Sequence, residues 1–163
     1  MSSVDATDRA IARALQSNAR MTNAEIGRIV GLAQSSAHDR VRRLEAAGHI
    51  EGYHARLAAR SFGLGVSAFV FVDAGDIAAE ARVAEGLKAI PGVEEIHHIA
   101  GEDCFLVKLW APDNEALGRL LRQDFGTAGA RSTRTTIVLE TLLDRPGPPL
   151  PGDGVANGGG GIR

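Results

Sequence analysis

The chain has one cysteine in 163 residues, Cys104, so no internal disulfide can form and a reducing compartment is expected. No stretch approaches the roughly 18 apolar residues that a membrane span needs. The first residues, M-S-S-V-D-A-T-D, lack the basic start and apolar run of a secretory signal. A soluble cytoplasmic protein without a membrane partner is therefore expected. The fingerprints of common enzyme chemistry are missing too. Gly63-Leu64-Gly65 has neither the third glycine nor the following helix of a dinucleotide site, and the glycine run near the C-terminus has no strand before it and no helix after it. No serine sits on a nucleophile elbow. His97 and His98 are neighbours in an apparent strand, so they point to opposite faces, and with one cysteine they do not make a metal site. Cys104 lies among apolar residues, where a cysteine usually behaves as a small hydrophobe. No catalytic residue, metal or cofactor is expected, and a small enzyme would lack any convergent acid, base or nucleophile.

A strong positive charge is also lacking. The net charge is -2, which taken alone argues against a nucleic-acid partner. The charge is unevenly spread, however. Residues 1–60 carry 9 arginines against 6 carboxylates, a net +3, and the remainder carries 9 basic against 14 acidic groups, a net -5. A basic N-terminal module on an acidic body fits a reader joined to a sensing or assembly domain.

Residues 22–47 are the most informative segment. They read as two short helices joined at Gly31. Thr22 and Glu25 form a capping box, flanked by Met21 and Ile26 as a hydrophobic staple. Ile26, Ile29 and Val30 give the first of these helices one apolar face. In the second, Ala37, Val41, Leu44 and Gly48 fall in one narrow arc, while Ser35, Asp39 and Arg42 point the other way and Ser36, His38 and Arg43 flank them. This is the pattern of a helix-turn-helix that places its second helix in a DNA major groove. A solvated amphipathic helix in an ordinary bundle would share the charged outer face. For the DNA reading the candidates are Gln34, Ser35, Ser36, His38, Asp39, Arg42 and Arg43. Arg40 turns partly inward and suits a phosphate contact or an internal ion pair. Asp5 caps a preceding helix with Ile11, Ala14 and Leu15 as its apolar stripe. His49 to Leu57 reads as a short strand, a wing beside the DNA.

Residues 61–144 alternate strand and helix: strand 66–72, helix 77–89 ended by Pro91-Gly92, strands 93–100 and 104–110 about a tight Gly101-Glu102-Asp103 turn, helix 114–125 and strand 134–142. The class is α+β: a three-helix, winged helix-turn-helix domain over 1–60, then a ferredoxin-like βαββαβ domain over 61–144. The Pro/Gly-rich 145–163 reads as a disordered tail. Strand 66–72 is apolar on both faces, with Val66, Ala68, Val70 and Val72 against Phe69 and Phe71. Strand 104–110 repeats this, with Phe105, Val107 and Leu109 against Leu106 and Trp110. Helices cover one face only, so a second copy is the simplest cover for the other, giving a two-fold dimer. The Gly101 turn offers amides and carboxylates to a small zwitterion, although a hairpin turn explains Gly and Asp as well.

Taken together, Val4-Asp5, Asp8, Ile11, Leu15-Gln16, Asn18-Ala19-Arg20, Glu25-Ile26, Val30-Gly31-Leu32, Arg40-Val41, Leu44-Glu45, Gly48-His49-Ile50 and Tyr53 resemble the Lrp/AsnC, or feast/famine, transcription regulators. The run 93–100, Gly101-Glu102-Asp103 and 133–139 resemble that family's effector domain, so the likeness spans residues 4–144. The resemblance implies dimers that assemble further, often to octamers, on wrapped or bent double-stranded DNA. It also implies an amino acid or related metabolite held between dimers near Ile99, Ala100, Gly101, Glu102 and Asp103, with Thr135 and Thr136 as the neighbouring wall. Two departures stand out. Ala33 occupies the N-cap where the family usually has Ser or Thr, and Asp103 comes one position early, with Cys104 in the usual Asp place. The alternative is a metabolite-sensing oligomer that uses its helix-turn-helix to bind protein.

Overall fold

A computed structural model describes residues 4–150, which form two compact units: one of the residues up to Arg56 together with those from Leu143, the other of Leu57–Leu142. The first unit begins with three helices, α1 (Ala6–Ser17), α2 (Asn23–Val30) and α3 (Gln34–Ala46). Each start has a local cause. Asp5 accepts from the Asp8 amide at 2.7 Å and Asp8 accepts from the Asp5 amide, closing a capping box on α1. Thr22 and Glu25 close the second box, on α2. Ala33 has extended backbone but no side-chain bond to offer α3. Between α2 and α3 the corner is tight. A Cβ on Gly27 would stand 2.6 Å from the Leu32 carbonyl oxygen, and Gly31 ends α2 with φ 69°, so both positions need glycine.

Ile11, Leu15, Ile26, Ala37, Val41 and Leu44 make the core of this unit, with Met21, Val30 and Ile50 against it. Ile29 does not join them; it is 57% exposed, because α2 is only two turns long and turns Ile26 and Gly27 inward, with Val30 partly buried beside them. The expected wing is absent: residues 49–57 form no strand. Only Ile50 of this segment reaches the core, and among the described residues no neighbouring strand offers a ladder, without which a lone extended segment stays irregular. Tyr53 instead donates to Glu45 Oε1 at 2.8 Å. Asp144, just before the Pro/Gly-rich segment, is gripped by Arg56 at 2.6 Å, and within the segment the Pro148 carbonyl accepts from Gln16 at 3.0 Å. Most of the tail expectation falls on residues 151–163, outside the described residues.

The second unit carries β1 (Val66–Asp73), α4 (Ile77–Lys88), β2 (Val93–His98), β3 (Phe105–Ala111), α5 (Asn114–Arg119), a π-helical turn Leu120–Asp124, α6 (Phe125–Ala128) and β4 (Ser132–Ile137). The strands pair antiparallel in the order β2-β3-β1-β4, the split-βαβ arrangement of a ferredoxin-like sheet. The helix expected over 114–125 is present and runs on to Ala128, with a π turn inside it, around which Leu117, Leu120, Leu121 and Phe125 all meet the core. One sheet face supplies Ala68, Val70, Val72, Phe105, Val107 and Leu109, all buried against Val83 and Leu87 of α4, Leu117 and Phe125. Each such buried Val, Leu or Phe side chain contributes about 1.5–3 kcal/mol. The last strand ends at Ile137 rather than Leu142. Val138 still donates to the Ser67 carbonyl, but Leu139 and Leu142 beyond it are almost fully exposed. Among the described residues, no helix is long and apolar enough to cross a membrane.

Candidate nucleic-acid interface and ligand turn

α3 separates its faces by burial. Ala37, Val41 and Leu44 are buried, whereas Gln34, Ser35, Ser36, His38, Asp39 and Arg42 are exposed. With no side-chain cap at Ala33, the first amides of α3 are left to outside acceptors, and the helix dipole favours an anion there. A shallow hollow of about 490 Å³ opens at this end, lined by Asn23, Gln34, Ser35 and His38. Asn23 Nδ2 stands 3.0 Å from His38 Nδ1, which ties the start of α2 to the outer face of α3. Asn23 was not among the sequence candidates. Its signal was its place just after the Thr22 cap, where a side chain of α2 comes beside the head of α3.

The arginines of α3 differ in surroundings. Arg40 takes the internal ion pair, donating to Asp5 at 2.7 Å and Asp8 at 2.8 Å. Arg43 shares it, reaching both oxygens of Asp8 at 2.9 and 3.1 Å. Asp8 is only 2% exposed, so α1 holds two α3 arginines through one buried carboxylate. Periodicity placed Arg43 on the DNA flank and gave no sign of this bond, since it depends on how α1 crosses α3. The Arg40 hydrogen bond, with the Asp8 amide behind it, holds the Asp5 carboxyl below its usual range. Arg42 makes no ion pair among the described residues and projects into solvent.

At the other candidate site, β2 and β3 join through residues 99–104, closed by the Ile99 amide donating to the Cys104 carbonyl at 2.9 Å. The turn is longer than the three residues the sequence suggested. Gly101 has neither a positive φ nor any atom within 4 Å of where a Cβ would stand. The conformational explanation of Gly101 therefore fails within this chain. Ala100, Gly101 and Glu102 are exposed, while Ile99 and Asp103 are half-buried. Asp103 accepts from Arg134 Nη2 at 2.8 Å. Thr135 and Thr136 do not share a wall. Thr135 stands opposite Val70 on the helix side, and Thr136 stands opposite Phe69 on the open side, because successive strand residues alternate. The β4 residue that reaches the turn is Arg134, which the sequence reading passed over. His97 and His98 also part to opposite faces, His97 to Glu95 at 2.9 Å and His98 to Glu80 of α4 at 3.3 Å.

The AsnC-type helix-turn-helix model matches residues 4–45, and the Lrp/AsnC ligand-binding domain model matches residues 67–148. The chain is 34% identical over 139 residues to the transcriptional regulator LrpA of Mycobacterium tuberculosis, covering 85% of this chain and 92% of that one. It is 33% identical to the leucine-responsive regulatory protein of Escherichia coli, covering 85% and 87%. Among solved structures, a transcriptional regulator of Neisseria meningitidis in complex with L-Met superposes with a TM-score of 0.85 at 28% identity, covering 91% of this chain and 98% of that one. A feast or famine regulatory protein of M. tuberculosis complexed with L-methionine gives 0.82 at 34% identity, covering 87% and 96%. Two domain models in sequence order, and whole-length relatives with the same fold, make this chain a member of the Lrp/AsnC family of helix-turn-helix transcriptional regulators.

Proposed function

We propose that this protein binds duplex DNA through α3 and answers to a small amino acid at the 99–104 turn. In this reading it is a cytoplasmic regulator and not an enzyme. The observation that carries it is the division of α3, whose apolar arc is buried while Gln34, Ser35, Ser36, His38, Asp39 and Arg42 are exposed to base edges and phosphates. Arg40 and Arg43 hold α3 on α1 through Asp5 and Asp8, and Arg43, half-exposed, still has room for a phosphate. The open sheet face, with Phe69, Phe71, Leu106 and Trp110 at its centre, packs on a second copy. Lys108 stands opposite Phe69 on the same face and is already paired with Glu94 and Glu95, and Trp110 Nε1 donates to Glu94, so the cation within this face has its partners before a second copy covers it.

The amino acid belongs at the turn because Gly101 has no reason within the chain to be glycine. Close approach of a ligand or another dimer supplies one. Two relatives of the same fold were solved with L-methionine, which supports a ligand of that class. A ligand held between dimers favours one assembly over another, so binding and higher assembly, such as an octamer, are linked. The test is sedimentation and thermal melting with each common amino acid, repeated on Gly101→Val. A stabilising amino acid that changes the assembly of the wild type but not of the variant is expected. An equal response from both places the pocket elsewhere, and no response from either makes the regulator effector-independent.

A further inference from the structure

Arg134 makes two contacts that lie in different candidate regions. Its Nη2 donates to Asp103 Oδ2 at 2.8 Å in the turn, and its guanidinium carbon stands 4.0 Å over the centre of the Phe71 ring on the open sheet face. The register explains how one side chain does both. Arg134 sits directly opposite Phe71 in the β1–β4 ladder, on the same face, and the neighbouring pair Val72–Thr133 lies level with Phe105, where β3 leaves the turn. Asp103 is well shielded, with its side chain 18% exposed, whereas Glu102 beside it is exposed. Guanidinium is suited to this double duty, since its edge bonds a carboxylate while its face stacks on a ring. A lysine ammonium could meet the carboxylate or the ring, but it has no plane with which to stack on one while bonding the other edge-on.

We infer that Arg134 is the positioning residue that couples the 99–104 turn to the open sheet face. It fixes the Asp103 carboxylate, leaves Glu102 as the free acceptor for a ligand's ammonium group, and carries any movement of Asp103 to the Phe71 ring. The inference rests on the proposed ligand and dimer sites, and it adds the residue through which they communicate. A ligand that pulls Asp103 aside shifts Arg134 on Phe71 and so alters the packing of two copies. Occupancy of the turn is thereby read at the dimer face without contact between ligand and partner sheet.

The experiment uses the full chain with Arg134→Gln, Asp103→Asn, the double variant and Arg134→Lys. Without ligand, sedimentation equilibrium gives the dimer dissociation constant of each. Each single neutral variant is expected to weaken the dimer about threefold or more. The double should be no weaker than the weaker single, since Asp103 acts through Arg134. Arg134→Lys should recover less than half of the loss, because the stacked plane is missing. A dimer unaffected by Asp103→Asn, or effects that simply multiply, overturns the coupling. In a second arm L-methionine is added. Arg134→Gln should still bind it within about tenfold of the wild type but no longer change assembly. A full assembly response in Arg134→Gln also overturns the inference. If the wild type itself ignores L-methionine and the other amino acids, the ligand reading of the turn fails, while the first arm still decides the role of Arg134.

Discussion

At the scale of single residues, Arg42 and Arg43 are neighbours in sequence with different work to do. Arg42 is exposed and unpaired among the described residues, whereas Arg43 holds the buried Asp8. Arg42→Ala should weaken DNA binding and leave the melting temperature unchanged, and if it grips a phosphate the salt slope should fall by about 1. Arg43→Ala should lower stability on the order of 1 kcal/mol as well, since Asp8 keeps Arg40 and the Asp5 amide but loses a half-exposed pair. Equal melting of the two variants would contradict this assignment. Tyr53, the one tyrosine of the chain, gives a pH test. Burial, then the hydrogen bond to Glu45, pushes its phenol up from 10.0 to about 12. The folded state thus favours the protonated phenol. This contribution is fully present below pH 10 and is lost as pH rises through about 12. Ultraviolet titration of the native protein should show phenolate forming near 12, moving towards 10 in Glu45→Gln. A native midpoint near 10 would mean that the phenol is neither shielded from water nor bonded to Glu45.

At the scale of elements, α3 begins without a capping side chain, and its backbone at Ala33 is already extended as a cap requires. Ala33→Ser should therefore stabilise the protein by about 1 kcal/mol in urea unfolding; no gain would show that the helix start is satisfied in another way. The Asp5 cap of α1, the capping box on α2, the buried arc of α3 and the four strands of the second unit were legible in the sequence because each depends on neighbours a few residues apart. The wing was not, because whether residues 49–57 form a strand depends on a partner strand that the local pattern cannot supply. The π turn inside the 114–125 helix escaped for a similar reason: Leu120, Leu121 and Phe125 meet a sheet whose position only the fold defines. At the turn, Gly101 was visible, but Arg134 was not, since it reaches Asp103 from 31 residues away. Thr135 and Thr136 looked like one wall until strand alternation and the Val70 and Phe69 register parted them.

For the whole molecule, the open sheet face and the reading helix belong to one account. Phe71→Asp would set a carboxylate in the centre of the proposed dimer face and beneath Arg134. Sedimentation should show monomer or aggregate, with stability falling by several kcal/mol if the monomer does not persist. An unchanged dimer would mean that two copies meet elsewhere. Dimerisation also bears on DNA, since two copies of α3 can meet successive major grooves about 34 Å apart. Selection of duplexes from a random pool by the full-length protein, followed by affinity measurements across a salt series, tests the central claim most directly. The account predicts a recovered motif of two half-sites spaced by about 10 base pairs or a multiple, bound at least ~10³-fold tighter than random duplex, with affinity falling linearly on logarithmic salt axes. Recovery of no motif, together with binding that ignores salt, would contradict it.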